Sequence, residues 1–120
     1  MKTILIVEDN EKNMKLARDI LQAKGYATLE AVTGEAGVQL AFDKIPDLVL
    51  MDIQLPGING IDAFKQIRAD ARTAAIPIIA FTASVTPTDR SHVTAAGFDA
   101  FLSKPINLKE FIATVQRLIA

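Results

Sequence analysis

The sequence has no cysteine. That excludes disulfides and thiolate metal centres and fits a reducing compartment. It has a single histidine, His92, with no second ligand-type partner nearby in sequence, so no metal role is expected for it. An excess of charge of one sign is also missing: 13 basic residues against 14 acidic ones leave a net charge of −1. No basic face is available to grip nucleic acid, and no basic amphipathic helix to lie on a membrane. No apolar run approaches the ~18 residues of a membrane span, and "MKTILIVEDN" turns acidic too early for a secretory signal. Repeats, linkers and low-complexity stretches are absent too. What is left is a cytoplasmic globular domain beginning at Met1. Its 120 residues suffice for one domain and not for two, and with half of them hydrophobic a substantial core is available.

What is present is an alternation. Ile4–Val7, Leu48–Met51, Ile76–Phe81 and Ala100–Leu102 are short apolar runs, and Tyr26–Val32 is a weaker fifth with some polar alternation. Continuous apolar runs mark strands covered on both faces. Helical patterns lie between them. Asn10 can cap a helix with Met14, Ala17, Ile20 and Leu21 on one face, stopped by Gly25. Thr33 can open a second through Phe42. Asn59 can cap a third, with Ile61, Phe64 and Ile67 aligned. "TPTD" (Thr86–Asp89) starts a fourth with Pro at the first helical position, ending near Gly97. "NLKE" (Asn107–Glu110) resembles a capping box before a fifth that aligns Phe111, Ile112, Val115, Leu118 and Ile119. Strand starts roughly 20–30 residues apart match the βαβ repeat. The expected fold is α/β, a flavodoxin-like doubly wound (βα)5 with a five-stranded parallel sheet in order 2-1-3-4-5.

In such sheets function collects at the carboxyl ends of the strands. Here four strands deliver a polar group to that edge: Glu8–Asp9 after the first, Asp52 after the third, Thr82 after the fourth and Lys104 after the fifth. Any one of these is ordinary loop chemistry, but their common register is not. Three converging carboxylates repel unless a cation joins them. All-oxygen donors select a hard ion, Mg²⁺ with Mn²⁺ as the alternative, which shares its shell with phosphate oxygens. A carboxylate can then be the nucleophile of phosphoryl transfer, with the ammonium and hydroxyl stabilising the equatorial oxygens. Asp52 is the best nucleophile, ending a central strand before the turn-rich "QLPGING". Asp9 is the better direct metal ligand, and Glu8 acts through water or as a second ligand.

"ILIVEDN", "DLVLMDIQLPGINGID", "IIAFTAS" and "FLSKPI" together resemble the motifs of response-regulator receiver domains, along the whole chain and most of all in the single-domain DivK type. The resemblance implies Asp52 as phosphoacceptor, Mg²⁺ held by Asp9, Asp52 and the Gln54 backbone carbonyl with Glu8 in the acidic pair, Thr82 as the switch hydroxyl, Lys104 as the family lysine before an often cis Pro105, and Phe101 as the switch aromatic. Phe101 lacks a tyrosine hydroxyl, so its movement changes only buried apolar area. Ala83 leaves room beside Thr82, and Gln54 and Ser84 flank the phosphoryl position. "GFDA" (Gly97–Ala100) lacks the second acid of the dimerising transcription-factor type, so a monomer or weak dimer is expected. The fourth helical segment offers only Val93 and two alanines as anchors, fitting a segment that shifts.

The implied function is a signalling switch rather than a conventional enzyme. A histidine kinase or histidine phosphotransfer protein donates the phosphoryl group. The surface around the fourth helical segment, fifth strand and fifth helical segment changes, and a downstream protein target reads it. The receiver domain spans 1–120 with no output domain. The alternative is a partner-binding receiver trimmed from a hybrid histidine kinase or multidomain regulator. A haloacid-dehalogenase-like hydrolase would want a second acid where Gln54 stands, and in a flavin binder Glu8 and Asp9 would repel the phosphate.

Overall fold

A computed structural model describes residues 2–55, 57–82, 95–104 and 106–119. Five strands form one parallel sheet: β1 (Thr3–Val7), β2 (Ala27–Ala31), β3 (Leu48–Asp52), β4 (Ile78–Thr82) and β5 (Ala100–Ser103). Their order, β2-β1-β3-β4-β5, is the expected one. Four helices are described: α1 (Glu11–Ala23), α2 (Gly34–Lys44), α3 (Gly60–Ala69) and α4 (Leu108–Ile119). The helix expected from Thr86, with Ala83, Ser84, His92 and Pro105, lies outside the described residues.

The caps form as the sequence suggests. Asn10, Thr33 and Asn59 each accept a hydrogen bond from the backbone N–H three residues on, satisfying donors that a helix start leaves unpaired. Asn107 does the same for Glu110 N–H. Strand alternation divides the core into two layers. Ile4, Ile6, Leu48, Leu50, Ile79, Phe81 and Leu102 pack under α1 and α4, with Met14, Leu21, Phe111 and Val115. Leu5, Val7, Val49, Met51 and Ile78 face α2 and α3, with Val38, Ala41, Phe64 and Ile67. This is the doubly wound arrangement, with every central strand buried on both sides.

Local departures have physical causes. β4 begins at Ile78, two residues later than the apolar run, because Pro77 has no N–H to give the ladder. Its carbonyl still accepts from Val49 N–H at 3.0 Å. β2 is half-buried because it is the sheet edge, which explains its weaker apolar signal. On α3 the core side chain beside Phe64 and Ile67 is Ala63, while Ile61 is half-buried. Arg68 ties the end of α3 to the entrance of β5: it donates to the Ala74 and Ile76 carbonyls and to Asp99 Oδ2, and Asp99 also accepts from Ile78 N–H at 2.7 Å. The one acid of "GFDA" is thus used within the chain.

α2 ends on Ile45 with φ +44°. Left-handed backbone is unfavourable for a β-branched residue, and Pro46 follows. Ile45 is also 45% exposed, so little packing holds it there. Ile45→Asn, a residue that tolerates this conformation, is expected to stabilise the protein by about 1 kcal/mol. Urea denaturation checks this as a higher midpoint at unchanged slope.

Candidate functional site

The parallel register assembles the site. Val7 stands opposite Met51, so the next residues, Glu8 and Asp52, are neighbours. Thr82 stands opposite Ser103, and Lys104 follows. Alternation continues the Ile4–Ile6, Leu48–Leu50 and Phe81–Leu102 layer into Glu8, Asp52 and Lys104, all on one face of the sheet. It puts Thr82 and Phe101 on the other.

Glu8 and Asp52 are each only 2% exposed, and they share one ammonium. Lys104 Nζ lies 2.8 Å from Asp52 Oδ2 as a hydrogen bond and 2.6 Å from Glu8 Oε1. The second contact is an ion pair without hydrogen-bond geometry, so Glu8 Oε1 is a buried acceptor with no hydrogen bond. The other oxygens are satisfied by backbone: Asn10 N–H donates to Glu8 Oε2 at 3.1 Å and Gln54 N–H to Asp52 Oδ1 at 2.9 Å. Lys104 N–H donates to the Thr82 carbonyl at 2.8 Å, holding the lysine at the end of β4. Its ammonium also sits 5.1 Å from the centre of the Phe81 ring.

Burial, followed by the neighbouring Asp52 carboxylate, pushes the Glu8 carboxyl up to about 7, against the pull of Lys104 and the Asn10 amide. Burial opposes the Lys104 charge, but Asp52 and Glu8 outweigh it and hold its pKa above the ordinary lysine value. The buried group therefore has two carboxylates against one secure positive charge.

Asp9, beside this pair, is exposed. One oxygen from each of Glu8, Asp9 and Asp52 lies within 4.8 Å of the others. That spread would let one small cation be held by all three carboxylates. Glu8 Oε1, ion-paired with Lys104 but accepting no hydrogen bond, is a ligand atom with spare capacity. The donor set, all oxygen and rich in negative charge, fits a hard divalent cation.

Residues 4–116 match the model of the response regulator receiver domain. The chain belongs to that family. The receiver is 43% identical over 115 residues to the polar-differentiation response regulator DivK of Brucella ovis, covering 96% of this chain and 94% of that one. Among solved structures it resembles the receiver domain of a sensor histidine kinase from Pseudomonas aeruginosa PAO1, which has a magnesium ion coordinated in its active-site cleft. There the TM-score is 0.92 at 35% identity, covering 98% of this chain and 97% of that one. It also resembles chemotaxis protein CheY4 of Vibrio cholerae, with TM-score 0.91, 25% identity and 98% coverage of each. It is thus a DivK-like receiver of the two-component type, a signalling domain by family. No helix among the described residues is long and apolar enough to cross a membrane.

The receiver brings Glu8, Asp9, Asp52 and Lys104 together. Gln54 follows Asp52 in the loop, Thr82 is buried at the end of β4, and Phe101 is half-buried in β5. The depth of Glu8 was not evident from sequence, where the two acids look alike. Strand alternation puts Glu8 on the Ile4–Ile6 face and Asp9 on the Leu5–Val7 face, but both faces of β1 are buried, so the pattern by itself does not say which acid is deep.

The raised Glu8 pKa gives a pH prediction. Between the ordinary value of 4.5 and about 7, the folded receiver keeps a proton that the unfolded chain has lost. Glu8 therefore makes stability fall as pH rises through that window, by up to roughly 3–4 kcal/mol. Urea denaturation in a chelator from pH 4.5 to 8 should show this slope, and Glu8→Gln should remove it. An unchanged slope in the variant would mean that Glu8 is not the group titrating.

Proposed function

We propose that this receiver is a phosphorylation-controlled switch with Asp52 as phosphoacceptor. The observation that carries the proposal is the buried Asp52–Glu8 pair sharing the Lys104 ammonium, with exposed Asp9 beside it. Receiver domains take phosphoryl groups from histidine kinases or phosphotransfer proteins, and that is the donor class proposed here. A carboxylate oxygen of Asp52 attacks the phosphorus. The bond from phosphorus to the donor's imidazole nitrogen breaks, and its electron pair leaves with the imidazole. The product is an acyl phosphate on Asp52.

Asp9, Asp52 and the Gln54 carbonyl would hold Mg²⁺, or Mn²⁺, with Glu8 as a further ligand directly or through water. When bound, the ion supplies positive charge for the phosphoryl oxygens and fixes their orientation. The chain's own residues do the rest. Lys104 stays charged and turns from the carboxylates toward the new phosphoryl oxygens. Gln54 N–H keeps Asp52 oriented through Oδ1. Thr82 moves its hydroxyl to the phosphoryl group, and Phe101, which alternation puts on the same face of the sheet as Thr82, follows by burying its ring. The surface around β5 and α4 then differs between the two states, and a protein target reads it.

The receiver's likeness to a sensor kinase's receiver favours a second setting, relay within a hybrid histidine kinase, with the same chemistry at Asp52. The test is incubation with acetyl phosphate and Mg²⁺, followed by intact mass. A labile phosphoryl adduct supports the switch. No adduct with any phosphodonor sinks it.

A further inference from the structure

Glu35 plays no part in the chemistry above. It stands in the first turn of α2, where an acid is ordinarily explained by the helix dipole. Its carboxylate, however, reaches across to the loop between β3 and α3. Oε1 accepts from Ile58 N–H at 3.3 Å. A Cβ on Gly57, where φ is +74°, would fall 2.6 Å from Oε2 and 2.8 Å from Oε1. The glycine is what lets the carboxylate come so close. The preceding helix residue, Gly34, packs on the same stretch, with space for a Cβ filled by Ile58 Cγ1 at 2.6 Å and the Ile58 carbonyl at 2.7 Å.

The loop is pinned at its other end too. Gly60 N–H donates to the Ile53 carbonyl at 3.0 Å, and a Cβ on Gly60 would collide with the Asp52 carbonyl oxygen. Gln54 lies between these anchors. Its N–H orients Asp52 Oδ1 at 2.9 Å.

We infer that Glu35 is a positioning residue. By clamping Gly57 and Ile58 to the start of α2, it fixes the loop that aims the Gln54 amide at Asp52. A dipole role alone requires only a negative charge on the first turn. A clamp requires an acceptor at that place, charged or not. Glu35→Gln keeps the acceptor and loses the charge, and Glu35→Ala loses both. The inference also rests on the proposed function for its consequence, because the Gln54 carbonyl is a ligand there.

The test has two arms on the intact chain. In the metal-free protein, amide hydrogen exchange at Gln54 is expected to quicken about tenfold in Glu35→Ala and to stay near the parent rate in Glu35→Gln. Mg²⁺ titration followed by backbone amide shifts is expected to give a roughly threefold to tenfold weaker Kd in Glu35→Ala, restored in Glu35→Gln. Unchanged Gln54 exchange in a folded Glu35→Ala protein overturns the inference, as does Glu35→Gln behaving like Glu35→Ala. If the parent itself binds no Mg²⁺, the functional reading fails, and the exchange arm still decides the clamp.

Discussion

Asp52→Asn is expected to abolish the labile phosphoryl adduct and, without Mg²⁺, to make the protein more stable. The first effect follows from the chemistry, since an amide oxygen is no nucleophile for phosphoryl transfer at this site. The second follows from charge. Asp52 and Glu8 are both 2% exposed and compete for the single Lys104 ammonium. Like charges held together in a poorly solvated place repel strongly. An amide of the same shape removes one of them and leaves Lys104 to pair with Glu8. The gain is expected to be about 1–2 kcal/mol near neutral pH, read as a higher urea midpoint at constant slope. Glu8 should then titrate lower, because Asp52 no longer raises it. An adduct retained in Asp52→Asn would move the phosphoacceptor elsewhere. A lowered midpoint would mean that the two carboxylates do not strain the metal-free fold.

Lys104→Met has the opposite sign. It removes the ammonium that both buried carboxylates share and keeps a side chain of similar length. Breaking a buried ion pair from one side leaves uncompensated charge, and the expected loss is about 3 kcal/mol in the metal-free protein near neutral pH. The loss should shrink as pH falls toward 5, since proton uptake by Glu8 relieves the repulsion. It should shrink again on adding Mg²⁺. Phosphorylation by acetyl phosphate should slow by about 100-fold, the scale for losing one preorganised electrostatic contact. The two substitutions share one cluster and should not add. In Asp52→Asn/Lys104→Met only one carboxylate lacks its partner, so the double variant should be more stable than the sum of the single effects. Additive values would show that the three groups do not act together.

These opposed effects give the acid pair a physical meaning. On the proposed function, Glu8 and Asp52 side by side would weaken the metal-free fold and create the place where a cation and a phosphoryl group gain most.

The sequence carried much of this. Apolar runs of strand length, alternating with capped helical patterns, determine element type and order, because burial on both faces and the 3.6-residue period are local properties. Parallel strands with right-handed crossovers then constrain the sheet order. The polar residues following four strands mark the edge where they meet. Boundaries were less legible: the Pro77 start of β4, the left-handed Ile45 and the Ala63 face of α3 depend on neighbours in space.

Only the tertiary structure decided which acid is deep and which is exposed. Glu8 and Asp9 are adjacent and chemically alike. Their difference comes from the pleat and from Lys104, which arrives 52 positions after Asp52. Likewise, Glu35 reads locally as a helix-start acid, and its contact with Ile58 spans 23 positions. A short stretch of sequence encodes its own period and caps. It does not encode which distant backbone N–H or ammonium will fill the space beside a carboxylate, since the packing of α2 beside α3 and the pairing of β5 with β4 set that.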